Sequence, residues 1–146
     1  MTGKYSELIA RASLLANGWR VHTSDTEEAY DILATDPVSS EHVRIQVKTI
    51  RQRIDRIKRD GTVDLVVYAK KGNGEPYDQS DADAIIGVLA VDGEVPRVYM
   101  FENRGIGEYW ASEQRAAERW IELPIALNRA DFVTETEAAA DDRAAA

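Results

Sequence analysis

The chain has 146 residues, 44% of them hydrophobic and 30% charged, and its 18 Lys and Arg against 26 Asp and Glu give a formal net charge of −8. That length fits one compact domain with a core of its own, and the lack of Cys excludes a disulfide scaffold, a thiolate zinc site and a cysteine nucleophile. His22 and His42 are the only imidazoles and lie in separate segments, which disfavours a His-rich metal site or a His-based triad, while the acidic balance taken alone argues against a nucleic-acid partner.

Leu8, Ile9, Ala12, Leu15 and Ala16 recur at helical spacing, and Gly18 follows as a stop, so residues 4–17 read as an amphipathic helix. The residues before it lack the pattern of an export signal, and no stretch approaches the ~20 apolar residues of a membrane span. A soluble, cytoplasmic protein without a membrane partner is expected. Strands are predicted at residues 19–23, 30–34 and 42–50, the last with Val43, Ile45 and Val47 alternating with Arg44, Gln46 and Lys48. Ile50, Ile54 and Ile57 fit a helix, but Asp60-Gly61 ahead of the apolar run 63–68 favours a basic β-hairpin arm.

A Gly-rich loop at 70–76 leads to strands at 84–91 and 97–101, joined by an Asp92-Gly93 turn. Ala116, Ala117, Trp120 and Ile121 predict a second helix over 112–121, with Pro124 beyond its end. Tyr109, Trp110 and Trp120 read first as packing residues, with base stacking as the functional alternative. Asp81 and Asp83 offer either a second metal site or turn caps. Residues 131–146 are acidic and Ala-rich and read as a disordered tail after a single domain of 1–130. The order of helix, strands and helix points to an α/β fold with a mixed sheet.

The charge is unevenly placed. Between His42 and Lys71 stand Arg44, Lys48, Arg51, Arg53, Arg56, Lys58, Arg59, Lys70 and Lys71 against Asp55, Asp60 and Asp64, a local balance of +6 that leaves −14 for the remainder. Beside this segment, Asp31 interrupts the apolar run of residues 30–34, and a carboxylate flanked that way is awkward to bury unless something pairs with it. Antiparallel pairing of strands 30–34 and 42–50 would bring Asp31, Gln46 and Lys48 together, with Glu7 of the first helix as a further carboxylate. Carboxylate and amide oxygens with water suit Mg²⁺, and a cation with an adjacent Lys suits attack of water on a phosphodiester.

The helix with Glu7, the sequence Gly18-Trp19-Arg20-Val21, the run Tyr30-Asp31-Ile32-Leu33 and the run Ile45-Gln46-Val47-Lys48-Thr49 together resemble the PD-(D/E)xK nuclease superfamily. The likeness is to the branch of Holliday-junction-resolvase-like proteins and a group I intron homing endonuclease. It spans Ser6 to about Phe101, with residues 77–83 matching a turn before a late strand, and implies a restriction-endonuclease-like mixed sheet flanked by helices. By that resemblance, Asp31 is the central metal ligand and Gln46 stands where most members carry an acidic ligand. The Val47 carbonyl also faces the metal, Lys48 orients water or phosphate, and Glu7 acts through the outer shell. Tyr30 replaces the family's proline, and Gln46 removes one charge from the site, although some active members of the branch carry glutamine there.

The expectation is therefore a Mg²⁺- or Mn²⁺-dependent endodeoxyribonuclease, junction-resolving or site-specific, acting as a homodimer or higher homo-oligomer. Arg44, Arg51, Arg53, Arg56, Lys58, Arg59, Lys70 and Lys71 would hold DNA. The rival expectations are a nuclease-fold DNA-binding or assembly protein that does not cut, and an acidic protein–protein module.

Overall fold

A computed structural model describes residues 2–127. Helix α1 (Thr2–Ala16) stops at Gly18, whose φ of 82° lets the Gly18 amide reach the Leu15 carbonyl and the Trp19 amide reach that of Leu14. Nine strands follow: β1 (Arg20–His22), β2 (Ile32–Thr35), β3 (His42–Thr49), β4 (Arg51–Arg53), β5 (Asp64–Tyr68), β6 (Ala84–Leu89), β7 (Arg97–Glu102), β8 (Glu108–Ser112) and β9 (Ile121–Glu122). The main sheet has the order β1-β2-β3-β6-β7-β9, with β3 and β6 parallel and the other pairs antiparallel. A second sheet has the order β4-β5-β8, all antiparallel. This is the expected mixed α/β fold. No helix among the described residues is long and apolar enough to cross a membrane.

Two apolar layers form the core. One face of the main sheet packs Ile45, Val47, Ile86 and Val98 against Ala10 and Leu14 of α1. The other packs Ile50, Ile85 and Tyr99 against Leu65, Val67 and Ala111 of the second sheet. The β6 strand is buried along its whole length, as a strand covered on both faces must be. The buried Ser6 hydroxyl lies 2.8 Å from the Thr49 hydroxyl and fixes the start of α1 against β3.

Three expectations change. The basic hairpin exists as β4 and β5, joined through a 3-10 turn at Ile54–Arg56, but it does not project as an arm, because β5 is the middle strand of the second sheet. The second helix shrinks to a 3-10 turn, Glu113–Arg115, and a four-residue helix α2 (Ala116–Arg119), since the preceding residues extend as β8 to cover the exposed edge of β5. The strand foreseen from Tyr30 starts only at Ile32. The foreseen tail lies outside the described residues.

Gly87 lies where β6 passes close to Ile50 and Val67. A Cβ there would meet Ile50 Cγ1 at 2.8 Å and Val67 Cγ2 at 3.2 Å. Gly87→Ala is expected to lower folding stability by about 1 to 3 kcal/mol through overpacking, read as a lower denaturation midpoint with an unchanged slope.

Candidate active site

The late start of β2 creates the site. Ile32 pairs with Ile45, yet the Asp31 amide also donates to the Ile45 carbonyl at 2.9 Å, so two residues of one strand address one of the other. Such a bulge re-aims the side chain beside it. The Asp31 Oδ2 accordingly accepts the Val47 amide at 2.9 Å, satisfying a β3 donor that no β2 carbonyl reaches.

The Asp31 carboxyl is held above its ordinary value of 3.8. Loss of hydration is the main cause and the Glu7 charge adds to it, against lowering by the Val47 amide, Lys48 and Arg11. Arg11 serves two masters: its Nη2 lies 3.1 Å from Glu7 Oε1 and donates to the Asp31 carbonyl at 3.2 Å. The guanidinium therefore ties Glu7 to the Asp31 backbone without neutralising the Asp31 carboxylate directly.

Gln46 is 7% exposed, and its Oε1 is a buried acceptor with no donor among the described residues. An orphaned buried carbonyl of this kind needs a reason. Lys48, two residues along the same face of β3, donates to the Lys70 carbonyl at 3.3 Å and lies 5.0 Å from the centre of the Tyr77 ring. The structure thus joins Asp31 to the Val47 backbone, puts Glu7 and Lys48 within electrostatic reach of Asp31, and leaves Gln46 unpartnered nearby on β3. Among the described residues no three His, Asp or Glu side chains form a metal-holding group, so any cation here depends on amide or backbone oxygens and water besides Asp31. The unpaired Gln46 oxygen fits that need.

The foreseen DNA contacts divide into two sets. The Arg44 guanidinium is taken up by Asp83 at 2.9 Å and by the carbonyls of Ser80 and Gln79, which makes it a clasp for the 78–83 turn. Arg53 sits near Asp55 and Glu108, Lys58 pairs with Asp64 at 3.2 Å, and Lys71 pairs with Asp81 at 2.7 Å. Asp81 and Asp83 are thereby accounted for as ion-pair partners. Lys48, Arg51, Arg59 and Lys70 have no ion pair among the described residues, and Arg56 lies in the 3-10 turn.

Arg11 and Tyr77 were not foreseen as site residues. The spacing of Glu7 and Arg11, one helical turn apart, carries the signal for the first. The approach of Tyr77 to Lys48 depends on the path of a loop and has no local signal.

No protein-family model and no curated protein matches the chain. Among solved structures, that of a bacterial homing endonuclease, I-Ssp6803I, matches with a TM-score of 0.49 at 17% identity, over 97% of this chain and 94% of that one. A likeness at that level carries no argument, and the architecture rests on the sheet order described above.

Because the carboxylate form of Asp31 is disfavoured by folding, its contribution to stability falls as pH rises from 3.8 through its elevated native value. Asp31→Asn keeps an acceptor for the Val47 amide and removes that loss. In metal-free buffer its melting temperature is expected to gain on the wild type between pH 4 and pH 7, as followed by circular dichroism.

Proposed function

We propose that the chain is a divalent-cation-dependent endodeoxyribonuclease, using Mg²⁺ or Mn²⁺, with Asp31, Gln46 and Lys48 at its centre. The observation that carries this reading is a carboxylate disfavoured by its surroundings and bonded to the Val47 amide, with an orphaned buried amide oxygen and a lysine on the flanking residues 46 and 48 of the same strand. Asp31 and the Gln46 Oε1 would hold the cation, together with the Val47 carbonyl, which leaves β3 on the same side as the amide bound by Asp31. The bound cation supplies Lewis acidity and a more acidic water. Lys48, held by the Lys70 carbonyl and the Tyr77 ring, keeps its ammonium at the site to orient water or to bind a phosphate oxygen. Glu7, paired with Arg11, adds negative charge from the α1 side.

Cutting both strands of a duplex calls for two such sites. The reading therefore includes a homo-oligomer, for which the outward row Tyr5, Leu8 and Leu15 of α1, each about half exposed, offers apolar surface. A junction-resolving or site-specific substrate belongs to the same proposal.

The test is cleavage of duplex, branched and single-stranded DNA with Mg²⁺ or Mn²⁺. Wild type is expected to cut at least one of them, while Asp31→Asn and Lys48→Ala lose about 100-fold or more of that activity. Equal activity in all three proteins overturns the assignment. Gln46, an amide where a carboxylate would hold a cation more strongly, favours one rival, a DNA-binding protein that does not cut. Salt-sensitive DNA binding without cleavage by wild type would establish that rival.

Gln46→Glu provides a readout independent of activity. A second carboxylate near Asp31 is expected to lower the melting temperature in chelator and to enlarge the rise produced by saturating Mg²⁺ relative to wild type. An identical Mg²⁺-induced rise in the two proteins would remove Gln46 from the cation site.

A further inference from the structure

The outer face of the second sheet carries two aromatic rings that the core does not use. Trp110 of β8 is 47% exposed and Tyr68 of β5 is 44% exposed, whereas Tyr109 and Trp120 are buried. Packing therefore explains two of the three aromatic residues singled out from residues 109–120, and leaves Trp110 unexplained. Trp110 stands in register with Val66, and Arg51 of β4 is in register with the same Val66 from the other side. Tyr68 lies two residues beyond Val66, so it shares this face and sits diagonally across from Trp110, a spacing of roughly 7 to 8 Å in a paired sheet.

Cations flank the rings. The Arg119 guanidinium lies 4.6 Å from the centre of the Trp110 ring. Beside it runs an open groove of about 580 Å³ whose lining includes Lys58, Thr62, Gln114, Arg115 and Arg119. Its two acids are Asp60 and Glu118, and the Asp60 carboxylate is already taken by the Thr62 amide and hydroxyl. Glu108, opposite Tyr68, lies 3.8 Å from Arg53. The outward row of β5 continues past Tyr68 to Lys70, whose carbonyl receives the Lys48 ammonium. The aromatic face and the candidate active site are therefore joined through β5 and the two residues after it.

We propose that this face is a stacking platform for two successive unpaired bases of single-stranded DNA, with Arg51, Arg119 and Lys70 disposed toward its phosphates. Flat rings on a sheet surface suit a ligand that presents free aromatic faces, and duplex bases have theirs covered by their neighbours. The proposal rests on the DNA reading above and deepens it: the substrate has an unpaired segment beside a duplex, as in a flap, a fork or an open junction.

The test uses Asp31→Asn protein, so that binding is measured without cleavage, and compares a blunt duplex with the same duplex bearing a single-stranded thymidine tail by fluorescence anisotropy. The tailed DNA is expected to bind more tightly and to quench tryptophan emission. Adding Trp110→Ala is expected to weaken tailed binding about 5- to 150-fold, the equivalent of one lost stacked base, with blunt-duplex affinity unchanged. Trp110→Phe is expected to keep most of the preference, and Tyr68→Ala to lose part of it. Equal binding of the two DNAs by the parent, or an unchanged preference in Trp110→Ala, overturns the platform and leaves the nuclease reading standing. Binding of neither DNA overturns both. A Trp110→Ala variant that changes its sedimentation from oligomer to monomer and keeps its tail preference would make the face a protein interface and reject the platform.

Discussion

The parallel pairing of β3 with β6 is the constraint from which the rest of the molecule follows. A chain that leaves β3 at Thr49 must return to the other end of the sheet before it enters β6 at Ala84 in the same direction. A helix usually makes that return. Here residues 50–83 make it, and β4 and β5 within them recruit β8 to build a second sheet over the first. This is why β6 is apolar along its whole length and why a glycine sits at its middle, where Ile50 and Val67 leave no space for a side chain. It is also why basic residues that begin on β3 continue across the second sheet, ending beside Lys48 at Lys70.

The candidate site grows from the opposite edge of β3. Because β2 starts late, the Val47 amide would have lacked a partner, and the Asp31 carboxylate supplies one. That hydrogen bond favours the charged carboxylate, but lost hydration and Glu7 outweigh it, so folding raises the pKa of Asp31. Arg11 could have cancelled the charge, but it is directed to Glu7 and to the Asp31 carbonyl instead. A carboxyl group whose ionisation is disfavoured, together with the unsatisfied amide oxygen of Gln46 on β3, weakens the fold slightly. Under the proposed function a cation would turn both groups to advantage, and a site could then be kept at some cost to stability.

Alternation on β3 and the helical spacing of α1 revealed the main layer, because both elements bury one face against a core and show their period in sequence. The Asp31 position was also readable, since a carboxylate inside an apolar run calls for a partner. The second sheet was harder to see. Residues 108–112 hold Tyr109 and Ala111 inward and Glu108 and Trp110 outward, a strand pattern overshadowed by the helical spacing that follows it. Tertiary pairing with β5 decided between the two. No periodicity could show that Arg44 would close on Asp83 or that Tyr77 would meet Lys48, because both contacts depend on how one long return path is threaded.

Neither the chain's −8 nor the +6 of residues 42–71 describes the surface a polyanion would meet. Arg44 and Lys71 clasp the 78–83 turn, Lys58 closes on Asp64, and Arg53 lies between Asp55 and Glu108, so much of the positive segment is spent holding its own loops. A phosphate would have to compete with those carboxylates for such residues, and the exchange would gain little. Arg51, Lys70 and Lys48 face no such competition among the described residues. Arg51 is level with Trp110 across β5, Lys70 follows Tyr68, and Lys48 meets the Lys70 carbonyl. These three cations therefore follow a short line beside β5, from the aromatic face to the candidate site. A single strand lying on that line would meet aromatic rings and cations in succession.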